Sequence, residues 1–175
     1  AKGWRAGAYN RSTWLTGFVS SGSMDAAGAA SELSDMTSTH LKFGAASAGF
    51  NEANQNYIAY FWGNIEGVQK FGVYTGNAAA DGKFVYLGFK PSLIWRKKIS
   101  GSAWSTLDNK RDPYNPTDLG MYITTDAAES DGADAIDILS NGFKMRSSDT
   151  GLNASTPYIY AAFAATPFSL NNRAR

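Results

Sequence analysis

The stretch KFGVYTGNAAADGKFVYLGFKP, residues 70–91, carries the strongest structural signal in the chain. Its two outer segments alternate aromatic or apolar residues with others, as strands with one buried face do. Between them, residues 76–82 are glycines, alanines and the turn formers Asn77 and Asp81. The pattern predicts an antiparallel hairpin with a broad, glycine-hinged loop. Asn77 and Asp81 are candidate ligand contacts, although both suit the shaping of the turn equally well.

Strand-like patterns recur through the rest of the sequence. Residues 142–146 alternate apolar with charged side chains, and residues 84–89 and 93–99 have the β-branched and aromatic bias of strands. Residues 57–62 are almost entirely apolar and are expected to form a strand buried on both faces. Helix is expected for no more than a turn or two, in two Ala-rich segments, residues 23–34 and 126–135.

Two blocks of the sequence resemble each other. Residues 34–43 align with residues 136–145, where an aspartate, a serine and a lysine coincide and the apolar positions match. Residues 56–62 then align with residues 157–163 at an offset one residue shorter. We interpret these blocks as two diverged copies of one β unit.

The predicted boundary between the two copies lies between residues 69 and 70, where the stretch quoted above begins. Residues 1–69 are predicted to form the first β unit, and residues 70–175 the connecting hairpin and the second unit. Hydrophobic residues make up 43% of the chain and aromatic residues 14%, which is enough to fill one shared core. The prediction is therefore an all-β fold, a β-sandwich or jelly roll built from two related halves and packed as one globular domain.

Composition argues against several classes of function. The net charge is +1 and the densest basic run is WRKK, residues 95–98, so no basic face for nucleic acid is predicted. Cysteine is absent, which excludes disulfides and cysteine-ligated metals. No apolar run reaches the roughly 18 residues of a membrane-spanning helix, so membrane insertion is not predicted.

Catalytic signals are weak. His40 is the single histidine, and without a Gly-x-Ser-x-Gly elbow to supply a nucleophile it is interpreted as a turn or surface residue. A glycosidase needs two carboxylates across a cleft, and the sequence places no such pair among its candidates, Glu32, Asp35, Glu52 and Glu66. The prediction is a protein that is not an enzyme and uses no cofactor.

Acidic residues are densest between Glu129 and Asp137. Oxygen ligands at short spacing can bind calcium, but this spacing does not fit an EF-hand loop. Solvated acids near the start of a short helix explain the cluster equally well. The cluster is kept as a weak calcium candidate with three ligands, Glu129, Asp131 and Asp134.

Aromatic residues give the better functional signal. The chain holds five tryptophans and nine tyrosines, more than one small core ordinarily needs. Exposed rings stack on the apolar faces of sugars while neighbouring amides and carboxylates bind hydroxyls. Trp62 and Trp95, inside apolar strands, are better explained as core or interface residues. Candidate ligand or interface contacts near loops are Trp14, Tyr74, Tyr114 and Asn115.

Four blocks occur in the same order as in a known family. They are residues 70–91, residues 108–115 (DNKRDPYN), residues 137–146 (DILSNGFKMR) and residues 158–168 (YIYAAFAATPF). Together they resemble an uncharacterised β-rich domain of bacteriophage tail-fibre and virion structural proteins. The resemblance covers about residues 40–170. The chain departs from the family pattern at single positions, Lys83 and Ala165.

The resemblance implies a virion structural protein, located on the surface of the phage particle. The expected role is a tail-fibre or receptor-binding module that forms a homo-oligomer, with a trimer favoured. Expected partners are other virion proteins and a host cell-surface glycan. A capsid decoration protein is the alternative, and a carbohydrate-binding module or glycan hydrolase is the second alternative. The resemblance supplies no catalytic residues.

Overall fold

The computed structural model describes residues 53–58, 60–101, 103–129 and 136–167 in full. Before them it describes His40 and the backbone of five short strands, β1 (Arg5–Tyr9), β2 (Trp14–Phe18), β3 (Met24–Asp25), β4 (Leu33–Met36) and β5 (Leu41–Phe43). Strands β1, β2 and β3 form one antiparallel sheet, and β4 pairs with β5. The described residues contain strands and no helix, so the predicted all-β class is confirmed. Accordingly, this part of the chain has no helix that could span a membrane.

Eight further strands build two more antiparallel sheets. They are β6 (Gln69–Thr75), β7 (Phe84–Tyr86), β8 (Pro91–Lys98), β9 (Ser105–Asp108), β10 (Met121–Tyr122), β11 (Ile136–Leu139), β12 (Gly142–Met145) and β13 (Pro157–Ala164). The first sheet has five strands in the order β10-β9-β8-β13-β6, and the second has three in the order β11-β12-β7. The predicted strands at residues 93–99 and 142–146 correspond to β8 and β12.

The two sheets share one hydrophobic core, as in a β-sandwich. Tyr74 of β6 stacks on Tyr158 of β13 with ring centroids 5.2 Å apart, and meets Phe143 of the other sheet edge-on at 6.0 Å. Other buried residues from both sheets complete the core, among them Val85, Ile94, Leu107, Ile136, Met145 and Tyr160. Since aromatic side chains bury large areas, this cluster is the main source of hydrophobic stabilisation.

The predicted hairpin of residues 70–91 is wrong. Both of its strands exist, but β6 pairs with β13 in the five-stranded sheet and β7 pairs with β12 in the other. The amide of Gly82 donates to the carbonyl of Met145, whose own amide donates to the carbonyl of Lys83, each at 3.0 Å. The loop therefore crosses from one sheet to the other as an arch. An alternating pattern identifies strands and turns but not the partner of each strand.

The two related blocks contain hairpins of the same register. Asp35 lies opposite Lys42 in the β4–β5 pair, and Asp137 lies opposite Lys144 in the β11–β12 pair. This agreement in backbone pairing supports two diverged copies. His40 takes the position that Gly142 has in the second copy, where a Cβ atom would overlap the backbone of β7. In agreement with this, β4 and β5 form a two-stranded sheet, and no strand of the described part of the chain pairs with β5 as β7 pairs with β12.

The strand predicted at residues 57–62 is wrong. The described residues of this segment form no strand, and their large side chains are exposed. The matching block in the second copy is β13, which is paired along both edges. Apolar composition makes the segment suitable for a central strand, but such a strand also needs neighbouring strands to pair with, and no strand of the described part of the chain pairs with this segment.

Candidate functional site

Asn153 fixes the arch of residues 76–82 to the loop of residues 147–153. Its side chain is fully buried, and its Nδ2 donates to Asn77 Oδ1 at 2.9 Å and to the carbonyls of Ala79 and Ser147 at 2.8 Å. Its Oδ1 accepts from the amide of Asn77 at 3.2 Å. One amide side chain therefore holds two loops that lie far apart in sequence.

Glycines at both ends of the arch allow this close packing. A Cβ atom on Gly76 would overlap the carbonyl oxygen of Ala154, and one on Gly82 would lie 2.5 Å from the Cβ of Met145. From the core side, the buried Arg96 donates to the carbonyl of Leu152 at 2.7 Å. The loop of residues 147–153 is thus held from two directions. Arg96 belongs to the basic run WRKK, so this run is not simply a surface patch.

Asn77 and Asp81 occupy different places in the arch. Asn77 bonds within it, donating from Nδ2 to the carbonyl of Asp81 at 3.1 Å. The side chain of Asp81 points outward, where its carboxylate is 2.5 Å from Lys144 Nζ and 3.3 Å from Arg146. The hydrogen bond and charge of Lys144 lower the pKa of Asp81 below its usual value. The arch therefore brings one predicted contact, Asp81, to the second sheet.

The outer face of the β11-β12-β7 sheet presents aromatic rings beside charged side chains. Phe84 and Tyr86 are two residues apart on β7, so both side chains point to this face, where Tyr86 is 60% exposed. Lys144 lies opposite Phe84 in the neighbouring strand. Asp137 follows in the next strand, 2.5 Å from Arg146. We call this surface the aromatic–ionic face, made of Phe84, Tyr86, Asp81, Lys144, Arg146 and Asp137.

Lys70 of β6 contacts both the backbone and the ring of Tyr86. Lys70 Nζ donates to the carbonyl of Tyr86 at 2.9 Å and lies 5.3 Å from the centre of its ring. A cation at this distance from an aromatic ring is attracted by the ring's quadrupole. On the neighbouring strand, Gly142 lacks the Cβ atom that would crowd the ring of Phe84. Both rings of β7 are therefore exposed on the same side of the strand.

Tyr114 lies on a separate, anchored loop and is 80% exposed. Its neighbour Asn115 donates from Nδ2 to the carbonyl of Ile138 at 3.0 Å and accepts the amide of Ile138 at 2.9 Å. This side chain thus pairs with the edge of β11 as a strand would. Asn115 is accordingly a structural residue, while the ring of Tyr114 is available to a ligand or partner.

Of the two remaining candidates, one is buried and the side chain of the other lies outside the described residues. Tyr74 is buried in the core against Tyr158, so the interpretation of Tyr74 as a ligand contact does not fit its position. Trp14 lies in β2, where the backbone alone is described. A small recess near Lys98, Tyr122 and Gly151 has room for about 10 Å³, the scale of a single water molecule.

The calcium candidate is only partly described. Glu129 forms an ion pair with Arg111, whose Nε also lies 2.6 Å from Asp108. Burial alone would raise the pKa of Asp108, but hydrogen bonds from the backbone and side chain of Arg111 lower it below its usual value. Asp131 and Asp134 lie outside the described residues. Within the described residues, no three acidic or histidine side chains form a group that could hold a metal ion.

Sequence reasoning missed the buried Asn153 and the exposed pair on β7. Asn153 occurs in an ordinary polar loop, and no pattern in one sequence marks it as the link to the arch. The sequence predicts Phe84 and Tyr86 only as strand residues. Because it predicts the wrong partner strand for β7, it does not show that these two side chains are exposed. Alternation could have shown that both rings share one face, but not which face.

One protein family matches almost the whole chain. It is described as a domain of unknown function (DUF7483), and the match covers residues 9–167. No curated protein and no solved structure matches the chain. The family match includes every strand from β2 to β13, and so all of the aromatic–ionic face.

Proposed function

Because the chain belongs to the DUF7483 family, whose function is unknown, we propose a function from its own residues. The proposal is a bacteriophage virion structural protein, a tail-fibre or receptor-binding module that binds a host cell-surface glycan. The aromatic–ionic face carries this proposal. The four sequence blocks that resemble the phage domain support the location on the particle.

The face has the chemistry that sugars require. Phe84 and Tyr86 offer neighbouring rings that can stack on the apolar faces of pyranoses. The carboxylates and cations beside them can form charge-assisted hydrogen bonds with hydroxyls or with acidic sugar substituents. The face holds two cations, Lys144 and Arg146, and two carboxylates, Asp81 and Asp137, which pair with each other. Lys70 beside Tyr86 adds one cation, so the surface lacks the dense basic charge that a polyanion requires.

A glycan array tests the binding. We expect the wild-type chain to bind a defined set of glycans, and Tyr86→Ala to reduce that binding about five- to thirtyfold, since loss of one stacked ring costs about 1–2 kcal/mol. Tyr114→Ala is the matched control, because it removes another exposed tyrosine outside the face. If Tyr114→Ala abolished binding and Tyr86→Ala did not, the receptor surface would be the Tyr114 loop instead.

Location on the particle needs a separate experiment. Gold-labelled antibodies against the chain should decorate the tail or fibre of phages that encode it, and the free chain should reduce adsorption of those phages to their host. Labelling confined to the capsid shell would favour the decoration protein. Intact and disrupted particles that both lacked the protein would refute the virion role. Release of sugars from any bound glycan would show a hydrolase.

A further inference from the structure

One cation beside the aromatic–ionic face has no acidic partner. Two others, Lys144 and Arg146, form ion pairs with the carboxylates of the face. Lys70 differs from them, because its Nζ donates to the carbonyl of Tyr86 at 2.9 Å and no carboxylate of the described residues forms an ion pair with it. A carbonyl carries no net charge, so Lys70 leaves one positive charge at this border of the face.

The hydrogen bonds of β7 place that charge at the outer edge of the strand. The carbonyl of Lys83 accepts an amide of β12, and the amide of Leu87 donates to the turn between β11 and β12. Backbone groups alternate in direction along an antiparallel strand, so the carbonyl of Tyr86 points away from β12. Lys70 reaches this carbonyl from β6, in the other sheet. Its ammonium group therefore lies where β7 has no neighbouring strand within its own sheet.

The ring of Tyr86 is open to a ligand beside this ammonium group. Lys70 Nζ lies 5.3 Å from the centre of the ring, and Tyr86 is still exposed. The residue opposite Tyr86 in β12 is Gly142, so the neighbouring strand contributes no side chain beside the ring. The hydroxyl end of the ring lies toward Gly88, which also has no side chain. A sugar stacked on Tyr86 can therefore bring an acidic substituent to Lys70.

We propose that the aromatic–ionic face binds glycans through a sugar that carries one carboxylate, such as a uronic or sialic acid. The sugar stacks on Tyr86, and its carboxylate accepts a charge-assisted hydrogen bond from Lys70 Nζ. An ammonium group has three N–H donors, so Lys70 can bind the carboxylate without releasing the carbonyl of Tyr86. This inference rests on the proposed glycan binding and narrows it to a class of sugar.

Methyl esterification separates the charge from the sugar. The probes are sialylated and glucuronylated oligosaccharides, each presented on an array as the free acid and as its methyl ester. We expect the wild-type chain to bind the acids about three- to fivefold more tightly than the esters, as suits an ion pair exposed to solvent. The preference should largely disappear in about 1 M salt, which screens charges beyond about 3 Å.

Substitutions at Lys70 test the assignment. Lys70→Gln should bind acids and esters equally, with the wild-type affinity for the esters, whereas Lys70→Arg should keep the preference. Lys110→Gln is the matched control, because it removes the same charge from an exposed turn after β9 and should leave the preference unchanged. Far-UV circular dichroism confirms that each variant is folded.

Three results would overturn the inference and leave glycan binding in place. They are equal binding of acids and esters by the wild-type chain, a preference that persists in Lys70→Gln, and an equal loss of acids and esters in Lys70→Gln. The last result would show that Lys70 only positions Tyr86. Absence of binding to every glycan on the array would instead overturn the proposed function, and this inference with it.

Discussion

Replacing Asn153 with alanine should destabilise the fold more than any change to an exposed asparagine. The substitution removes a fully buried amide whose two Nδ2 hydrogens are shared among three acceptors within 2.9 Å and whose Oδ1 accepts one further bond. A buried hydrogen bond contributes about 1 kcal/mol net, and some partners will regain water at the exposed arch. We therefore expect a loss of about 3 kcal/mol in the free energy of unfolding.

Urea unfolding, followed by tryptophan fluorescence, measures this loss. With a slope of about 2 kcal/mol per molar urea, the midpoint should fall by roughly 1.5 M. Asn56→Ala, at an exposed position, is the matched control and should leave the midpoint within about 0.3 M of wild type. All variants are compared at one protein concentration, so that differences in apparent stability report the substitution alone.

Asn153→Asp sharpens the same test. The carboxylate keeps the shape of the amide but brings acceptor oxygens against the carbonyls of Ala79 and Ser147. Destabilisation at neutral pH should at least equal that of the alanine variant, and should lessen at acidic pH as the carboxyl gains a proton. If both variants unfolded at the wild-type midpoint, the arch would not depend on Asn153 and the reasoning would be refuted.

Three further measurements probe other parts of the structure. Gly76→Ala should lower the melting temperature by several degrees because its Cβ would overlap a carbonyl oxygen, whereas Gly63→Ala, in open space, should not. The pKa of Asp108 is lowered, so its contribution to stability is present above about pH 4 and is lost as the pH falls below that value. Asp108→Asn should lose less stability than wild type on acidification. Burial raises the pKa of Tyr160, so its contribution is complete below about pH 10 and is lost at higher pH. Tyr160→Phe should show a smaller drop in alkaline unfolding titrations.

The sequence predicted individual strands well and their partners poorly. Alternation predicts β12, and β-branched and aromatic bias predicts β8, because both signals are properties of the strand alone. Partners depend on distant residues, which explains why residues 70–91 were read as a hairpin rather than an arch. The sequence also predicts Tyr74 as a ligand or interface contact, whereas its ring is buried between the two sheets. The exposed ring is that of Tyr86, for which the sequence predicts no role.

Residues 57–62 show a different limit. Their apolar composition suits a strand, but it does not show where a hairpin with β6 ends. Asn64 Oδ1 accepts the amide of Phe71 and Gln69 Nε2 donates to the carbonyl of Gly63, and both backbone groups belong to the next pair of a continued hairpin. Neither Asn64 nor Gln69 is unusual in a loop, so the end of the pairing is visible only in the geometry.

Stability and the proposed binding surface are coupled through the arch. Asn153 positions Asn77, Asn77 bonds to the backbone of Asp81, and the carboxylate of Asp81 holds Lys144 on the aromatic–ionic face. Glycan binding should therefore weaken in Asn153→Ala under conditions in which the protein is still folded, although Asn153 is buried and cannot touch a ligand. Asp81→Asn should weaken it similarly with little loss of stability, because its ion pairs are exposed to solvent. Binding that survived both changes would mean that the rings of Phe84 and Tyr86 recognise the glycan without the ionic part of the face.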